Sequence, residues 1–225
     1  MDKFEAVGIA LVLVSFIVGA VAYPSMPDKM VTHWDAQGVA NGSIDKVWGV
    51  FLLPVIIALM EGLFLAIPRI DPLKANIAKF RKEFGWFVVG IMVFMLAIYK
   101  LTLLWNVGIL INPAQTLPIL IAFLFYLVGA LCEKSKRNWF VGMRTPWTMS
   151  SDRIWDKTNR LTGRMFKWAA LISAIGVFAG GYAIWFVLIP ALAIAVYAFV
   201  YSYMEFQNEK GGRGKAKKRK KPFTR

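Results

Sequence analysis

The chain has one cysteine, Cys132, and one histidine, His33. A single thiol forms no intramolecular disulfide and no thiolate metal cluster. A single imidazole with the unspaced carboxylates Asp28, Asp35 and Asp45 matches no metal-ligand pattern, so neither a metal nor a cofactor is implied. Acids are scarce: 13 Asp and Glu stand against 27 Lys and Arg. Charged residues of both signs make up only 18% of 225 residues, where a soluble domain carries about a quarter. An enzyme needs a convergent set of acids, bases, nucleophile or metal ligands, and none is visible, so no catalytic residue is assigned.

What the chain has instead is apolar length. Hydrophobic residues reach 58%, gathered into six blocks. Each is about 17 to 22 residues, enough to cross a ~30 Å hydrocarbon core at 1.5 Å per residue. The blocks run over 6–23, 47–67, 84–105, 116–132, 165–181 and 182–203. Long unbroken runs exclude a β-barrel, and backbone groups in lipid are then satisfied only by helices. The expected fold is all-α, an integral bundle of six transmembrane helices in the cell membrane. Ala20-Val21-Ala22 resembles a signal cleavage site, but Asp2 and Glu5 flank Lys3 where a signal peptide is basic, so a retained helix is expected. Cys132, at the end of an apolar block, reads as a small buried hydrophobe, with palmitoylation as the alternative.

Orientation follows from the basic residues. Setting aside Lys3, Lys100 and Lys167, twenty-two lie in the segments 69–82, 133–164 and 206–225, against Lys29 and Lys46 in the others. Excess Lys and Arg marks the cytoplasmic side, so both termini are expected inside. The organisation is a first hairpin (1–68) with an outer loop (24–46), a second hairpin (69–132), a cytoplasmic loop (133–164), a last hairpin (165–205) and a basic tail (206–225). The tail's Gly pair and uniform charge predict disorder and lipid association rather than a direct nucleic-acid role. Gly176 and Gly180 give a small-residue face for packing in the bundle, with a homo-oligomer contact as the alternative.

Two ionisable residues lie well inside spans, Glu61 and Lys100. An intramembrane charge is a functional hypothesis by default. Their depths differ by about 13 Å at 1.5 Å per residue, so no pair is expected. Lys100, between Tyr99 and Trp105, is expected to snorkel outward. Glu61 is expected to be neutral or hydrogen-bonded in the bundle, with a proton or ion path as the minority reading.

The loops carry the chemistry. Outside, His33, Trp34 and Asp35 sit in a segment of turn formers that includes Gly38. His33 reads as a residue that ties the loop together. Trp34 suits an interface or the headgroup layer. Inside, Asn138 to Arg164 holds three tryptophans and five basic residues. Asp152 opens an amphipathic pattern in which Ile154, Trp155, Thr158 and Leu161 recur at helical spacing, opposite Arg153, Lys157, Arg160 and Arg164. The expectation is an interfacial helix on the inner leaflet running into the fifth span. Asn138 to Thr148 is expected to be a compact turn held by aromatics and by Arg144, whose planar fork can hold several carbonyls or a carboxylate.

The run N-W-F-V-G-M-R-T-P-W-T followed by S-S-D-R-I-W-D-K-T-N-R-L-T-G-R-M-F resembles the signature loop of the SdpI family. The outer run P-D-K-M-V-T-H-W-D-A-Q-G resembles the small domain of unknown function that commonly precedes it. Matching positions are Pro27, His33 and Gly38 outside, and Asn138, Gly142, Arg144, Thr145, Pro146, Trp155, Thr158, Asn159 and Gly163 inside. Val31 and Arg153 depart from the pattern. The resemblance implies a multipass immunity protein, with a secreted membrane-active toxin as its outer partner and a transcriptional repressor drawn to the membrane as its inner one. A small-solute or ion transporter or channel ranks second, and a membrane enzyme third.

Overall fold

The computed structural model describes residues 2–219. Six of its helices are long and apolar enough to cross a membrane, and the protein is a multi-pass membrane protein in contact with the lipid bilayer. The first, α1 (Lys3–Ala22), opens with a capping box: Asp2 accepts from the backbone of Phe4 and Glu5, and the Glu5 side chain accepts from the Asp2 N–H. Its chain then turns through Tyr23–Ser25 into a two-stranded sheet, β1 (Lys29–Trp34) and β2 (Ala40–Asp45). From Asp45 the chain passes into α2 (Lys46–Ile70), which carries on through Pro68, where the sequence reading stops its span. A short α3 (Lys74–Ile77) leads to α4 (Arg81–Asn106). Asn112 caps α5 (Pro113–Lys134) by accepting from the Ala114 N–H, with Pro113 at the first helical position, where a missing donor costs nothing.

The last third holds α6 (Pro146–Ser150), α7 (Asp152–Ile175) and α8 (Trp185–Arg219). The amphipathic stretch runs directly into the fifth span, as the sequence reading expects. It is the first half of α7, and its apolar face, Ile154, Trp155, Thr158, Asn159 and Thr162, is buried in protein. Gly176 to Tyr182 winds as 3-10 turns, with Gly180 at φ +55°, so the chain reverses into α8. Gly176 faces Phe186 inside this hairpin, where a Cβ would stand 2.7 Å from the Phe186 Cβ. The α8 backbone stays helical to Arg219, where the sequence reading expects a disordered tail from residue 206. Residues 220–225 lie outside the described residues.

Two apolar clusters anchor the ends of the bundle. Met30, Val50, Tyr99 and Leu103 lock the sheet onto α2 and α4 at one end. Ile67, Phe80, Phe84, Leu131 and Val141 join α2, α4, α5 and the signature loop at the other. Between them α5 and α7 cross at two glycines. A Cβ on Gly129 would lie 2.7 Å from the Gly163 carbonyl, and one on Gly163 would lie 2.6 Å from the Gly129 carbonyl. Only glycine lets the two backbones meet at that distance.

Candidate functional site

The outer segment expected as a loop is a β-hairpin. Its turn forms around Asp35, whose N–H donates to the Val39 carbonyl at 2.9 Å. The Asp35 Oδ1 accepts from the N–H groups of Gln37 (2.9 Å) and Val39 (2.8 Å). Gly38 completes the turn at φ +83°, against the Asn112 side chain. His33 Nδ1 lies 2.5 Å from Asn41 Oδ1 across the hairpin. The sheet is then clamped to the end of α4. Asn106 accepts from the Val31 N–H at 2.8 Å and donates to the Val31 carbonyl at 2.9 Å.

Behind this hairpin lies a cavity of about 560 Å³. His33, Trp34 and Asp35 border it on the hairpin side; Trp105 on α4, Pro113 on α5 and Ile184 ahead of α8 complete the wall. Trp34 meets Trp105 edge to face, ring centroids 5.4 Å apart. Its indole N–H is buried without an acceptor among the described residues. The structure thus brings three of the four outer residues singled out from sequence to one cavity. Gly38 stands apart, packed on the α5 cap. Sequence reasoning missed Trp105, Asn106 and Asn112. The available signal was two asparagines bracketing the short stretch Val107 to Ile111 between two spans.

The opposite end is a clasp built mainly from backbone hydrogen bonds to buried asparagines and threonines. Asn138, fully buried, accepts from the N–H groups of Phe140 (2.9 Å) and Val141 (2.8 Å) and donates to the carbonyls of Lys136 (2.8 Å) and Val141 (2.9 Å). Asn159, on α7, accepts from the Met143 N–H at 2.6 Å and donates to the carbonyls of Met143 (3.3 Å) and Trp155 (3.2 Å). Gly142, at φ +106°, lies against both α7 side chains. A Cβ there would stand 2.8 Å from Asn159 Oδ1 and 2.9 Å from the Trp155 ring. Trp155 is buried and donates from its indole to the Ser135 carbonyl at 3.1 Å.

Thr145 caps α6, with Pro146 as its first residue and a reciprocal bond to Thr148. The Thr145 hydroxyl also lies 2.9 Å from that of Ser202, tying the clasp to α8. Thr158 is buried, with a hydroxyl that has no partner among the described residues. Arg144 departs from expectation. It is exposed and donates to the carbonyl of Trp139, not to a set of carbonyls. Missed from sequence were Asp71 and Asn76, which hold the clasp from the α2–α4 connection. Asp71 accepts from the Trp139 N–H at 2.9 Å, and Asn76 donates to the Arg137 carbonyl at 2.9 Å. An Asp-Pro step just past an apolar run was the available signal.

The intramembrane residues do not meet. Lys100 is exposed on α4. Glu61 is buried on α2 at the face of α1, and neither of its oxygens has a hydrogen-bond partner among the described residues.

Residues 134–203, which hold the clasp and α7, match the model of the SdpI/YfhL protein family. Residues 10–58, which hold the hairpin, match a domain of unknown function, DUF1648. The chain is similar to Immunity protein SdpI of Bacillus subtilis (strain 168), with 23% identity over 213 residues, covering 94% of this chain and 100% of that one. No solved structure matches the chain. The clasp and the hairpin are thus each matched at their own place in the bundle, the first by the SdpI/YfhL family and the second by DUF1648.

Proposed function

We propose that this protein gives its cell immunity to a secreted, membrane-active toxin and acts without catalysis. The observation that carries the reading is the end-to-end likeness to a protein named for immunity. The six-span arrangement supports it, because a toxin that attacks the membrane from outside must meet the outward loops. By the excess of Lys and Arg, the hairpin end faces outward and the clasp and both termini face the cytoplasm. The toxin then meets the hairpin and the cavity behind it, where Trp34 and Trp105 offer apolar surface beside the polar edge of His33 and Asp35. The clasp serves as the cytoplasmic surface, with Arg144, Arg153, Arg160 and Arg164 exposed there for a partner such as a repressor held at the membrane.

The test is protection in a toxin-sensitive host challenged with the secreted membrane-active peptides of the producing strain. Trp34→Ala and Asp35→Ala should lower survival at unchanged membrane abundance. Full protection by both variants removes the hairpin from the mechanism. No protection by the wild type, with solute flux through the purified protein in liposomes, replaces immunity by transport.

A further inference from the structure

Neither site above uses Glu61. It sits on α2 about 13 Å along the helix from Ile70, the end near the clasp. It is 3% exposed. Its carboxyl presses on the backbone of α1 at Gly8, where a Cβ would come within 2.3 to 2.5 Å of the carboxyl atoms. A glycine on the facing helix therefore makes the room that this carboxyl fills. A small cavity of about 10 Å³ joins it to Glu5 and Arg81, walled by Phe4, Phe64 and Phe84. That is the room of about one water molecule, too little for a hydrated cation or a solute.

The charged groups facing this cavity come from three helices. Glu5 on α1 is held by Arg81 of α4 at 2.8 Å and by Arg69 of α2 at 3.2 Å. Asp2, at the start of α1, also binds Arg81 at 2.8 Å. Arg81 is thus committed to two carboxylates already. A third negative charge one helical turn deeper, with no donor of its own, is costly in so dry a place, whereas the neutral acid is tolerated. If Glu61 ionised, it would compete with Asp2 and Glu5 for Arg81 and loosen the start of α1.

We propose that Glu61 is an intramembrane proton-binding site, loaded through the narrow cleft from the Glu5–Arg81 end of the bundle. The ligand is a proton, which passes across the cleft and converts the carboxylate to the acid. The site is independent of the immunity reading.

The experiment uses the full chain in liposomes and infrared spectroscopy. The infrared difference between wild type and Glu61→Gln at neutral pH should contain a protonated-carboxyl C=O band. That band should shift in heavy water several-fold more slowly in Glu5→Gln. A difference spectrum showing a carboxylate band, or no carboxyl band, overturns the site, and an unchanged shift rate in Glu5→Gln overturns the loading route. Where Glu61→Gln fails to fold, Glu61→Asp takes its place, and the C=O band should then move in frequency against wild type; an unmoved band overturns the site.

Discussion

The crossing of α5 and α7 makes Gly163→Ala the sharpest test of how the clasp is held. The new methyl carbon would lie 2.6 Å from both the Gly129 carbonyl oxygen and Glu133 Cγ, and 2.9 Å from the Glu133 backbone nitrogen. Ordinary contact begins near 3.4 Å, so the two helices must part by about 0.8 Å. Two of the three obstructing atoms are backbone, so no side-chain rotation relieves the clash. Overpacking of this kind costs about 1–3 kcal/mol. Against it stands a helix-propensity gain of about 1 kcal/mol for alanine over glycine. The net expectation is a loss of about 0–2 kcal/mol against wild type, and of about 1–3 kcal/mol against a glycine-to-alanine change that meets no obstacle. Gly62→Ala is the control: it also sits inside a helix, but nothing lies within 4 Å of the position its Cβ would take. The assay is the thermal midpoint in a mild detergent, followed by circular dichroism. The midpoint should fall for Gly163→Ala and hold or rise for Gly62→Ala. Because one separation of the helices accommodates both methyls, adding Gly129→Ala should cost less than the sum of the singles. A Gly163→Ala protein as stable as Gly62→Ala refutes the close approach.

Asn159→Ala removes three hydrogen bonds from the buried turn and strands the Met143 N–H, so it should cost about 1–3 kcal/mol and reduce membrane abundance. Arg144→Ala, losing one exposed bond, should leave the midpoint within about 0.5 kcal/mol of wild type; measured together, the two separate a lost partner contact from a lost fold. Single cysteines at Gln37 and Ser150, tested over the buried Cys132 background, should react from outside at Gln37 alone, and the reverse pattern inverts the topology. The Glu5 backbone N–H, aided by Arg81, holds the Asp2 carboxyl below its ordinary value of 3.8. A depressed carboxylate stabilises the fold above that value and loses its contribution as pH falls through the lower, folded one. Amide exchange at the start of α1 should therefore accelerate below pH 3.8 in wild type and much less in Asp2→Asn, with identical pH profiles as the refuting result.

The spans were legible because a 20-residue apolar run has one stable fate in lipid. Their ends were less so. The sequence stops the second span before Pro68, yet α2 continues to Ile70, since a proline near a helix end costs little when neighbouring segments can satisfy the freed carbonyl. The hairpin was hidden for a different reason. Its strands are only six residues each, and the pattern of β2, Ala40–Asp45, is polar with a glycine, so it carries little strand propensity of its own. It forms because the Asp35–Gly38 turn sets the register and Asn106 grips Val31 from seventy-five positions away. No local window contains that contact.

The inner site shows the limit of choosing residues by their chemical reach. Arg144 was singled out because a guanidinium can hold several acceptors, but the structure leaves it exposed with one carbonyl. The tying is done by Asn138 and Asn159, short amides that offer a donor and an acceptor within one buried turn and lose little side-chain entropy. Trp155, read from sequence as part of an interfacial helix, is sealed in protein with its indole on Ser135. Both outcomes share one cause. An amphipathic pattern records that a face is covered, and whether lipid or protein covers it depends on α5, Asp71 and Asn76, whose positions are set by the fold of the whole chain. The exposed basic face of α7 is what remains after the apolar face is buried. Under the proposed reading, a cytoplasmic partner would meet Arg153, Arg160 and Arg164, while Asn159 and Trp155 would act on it only through the shape they hold.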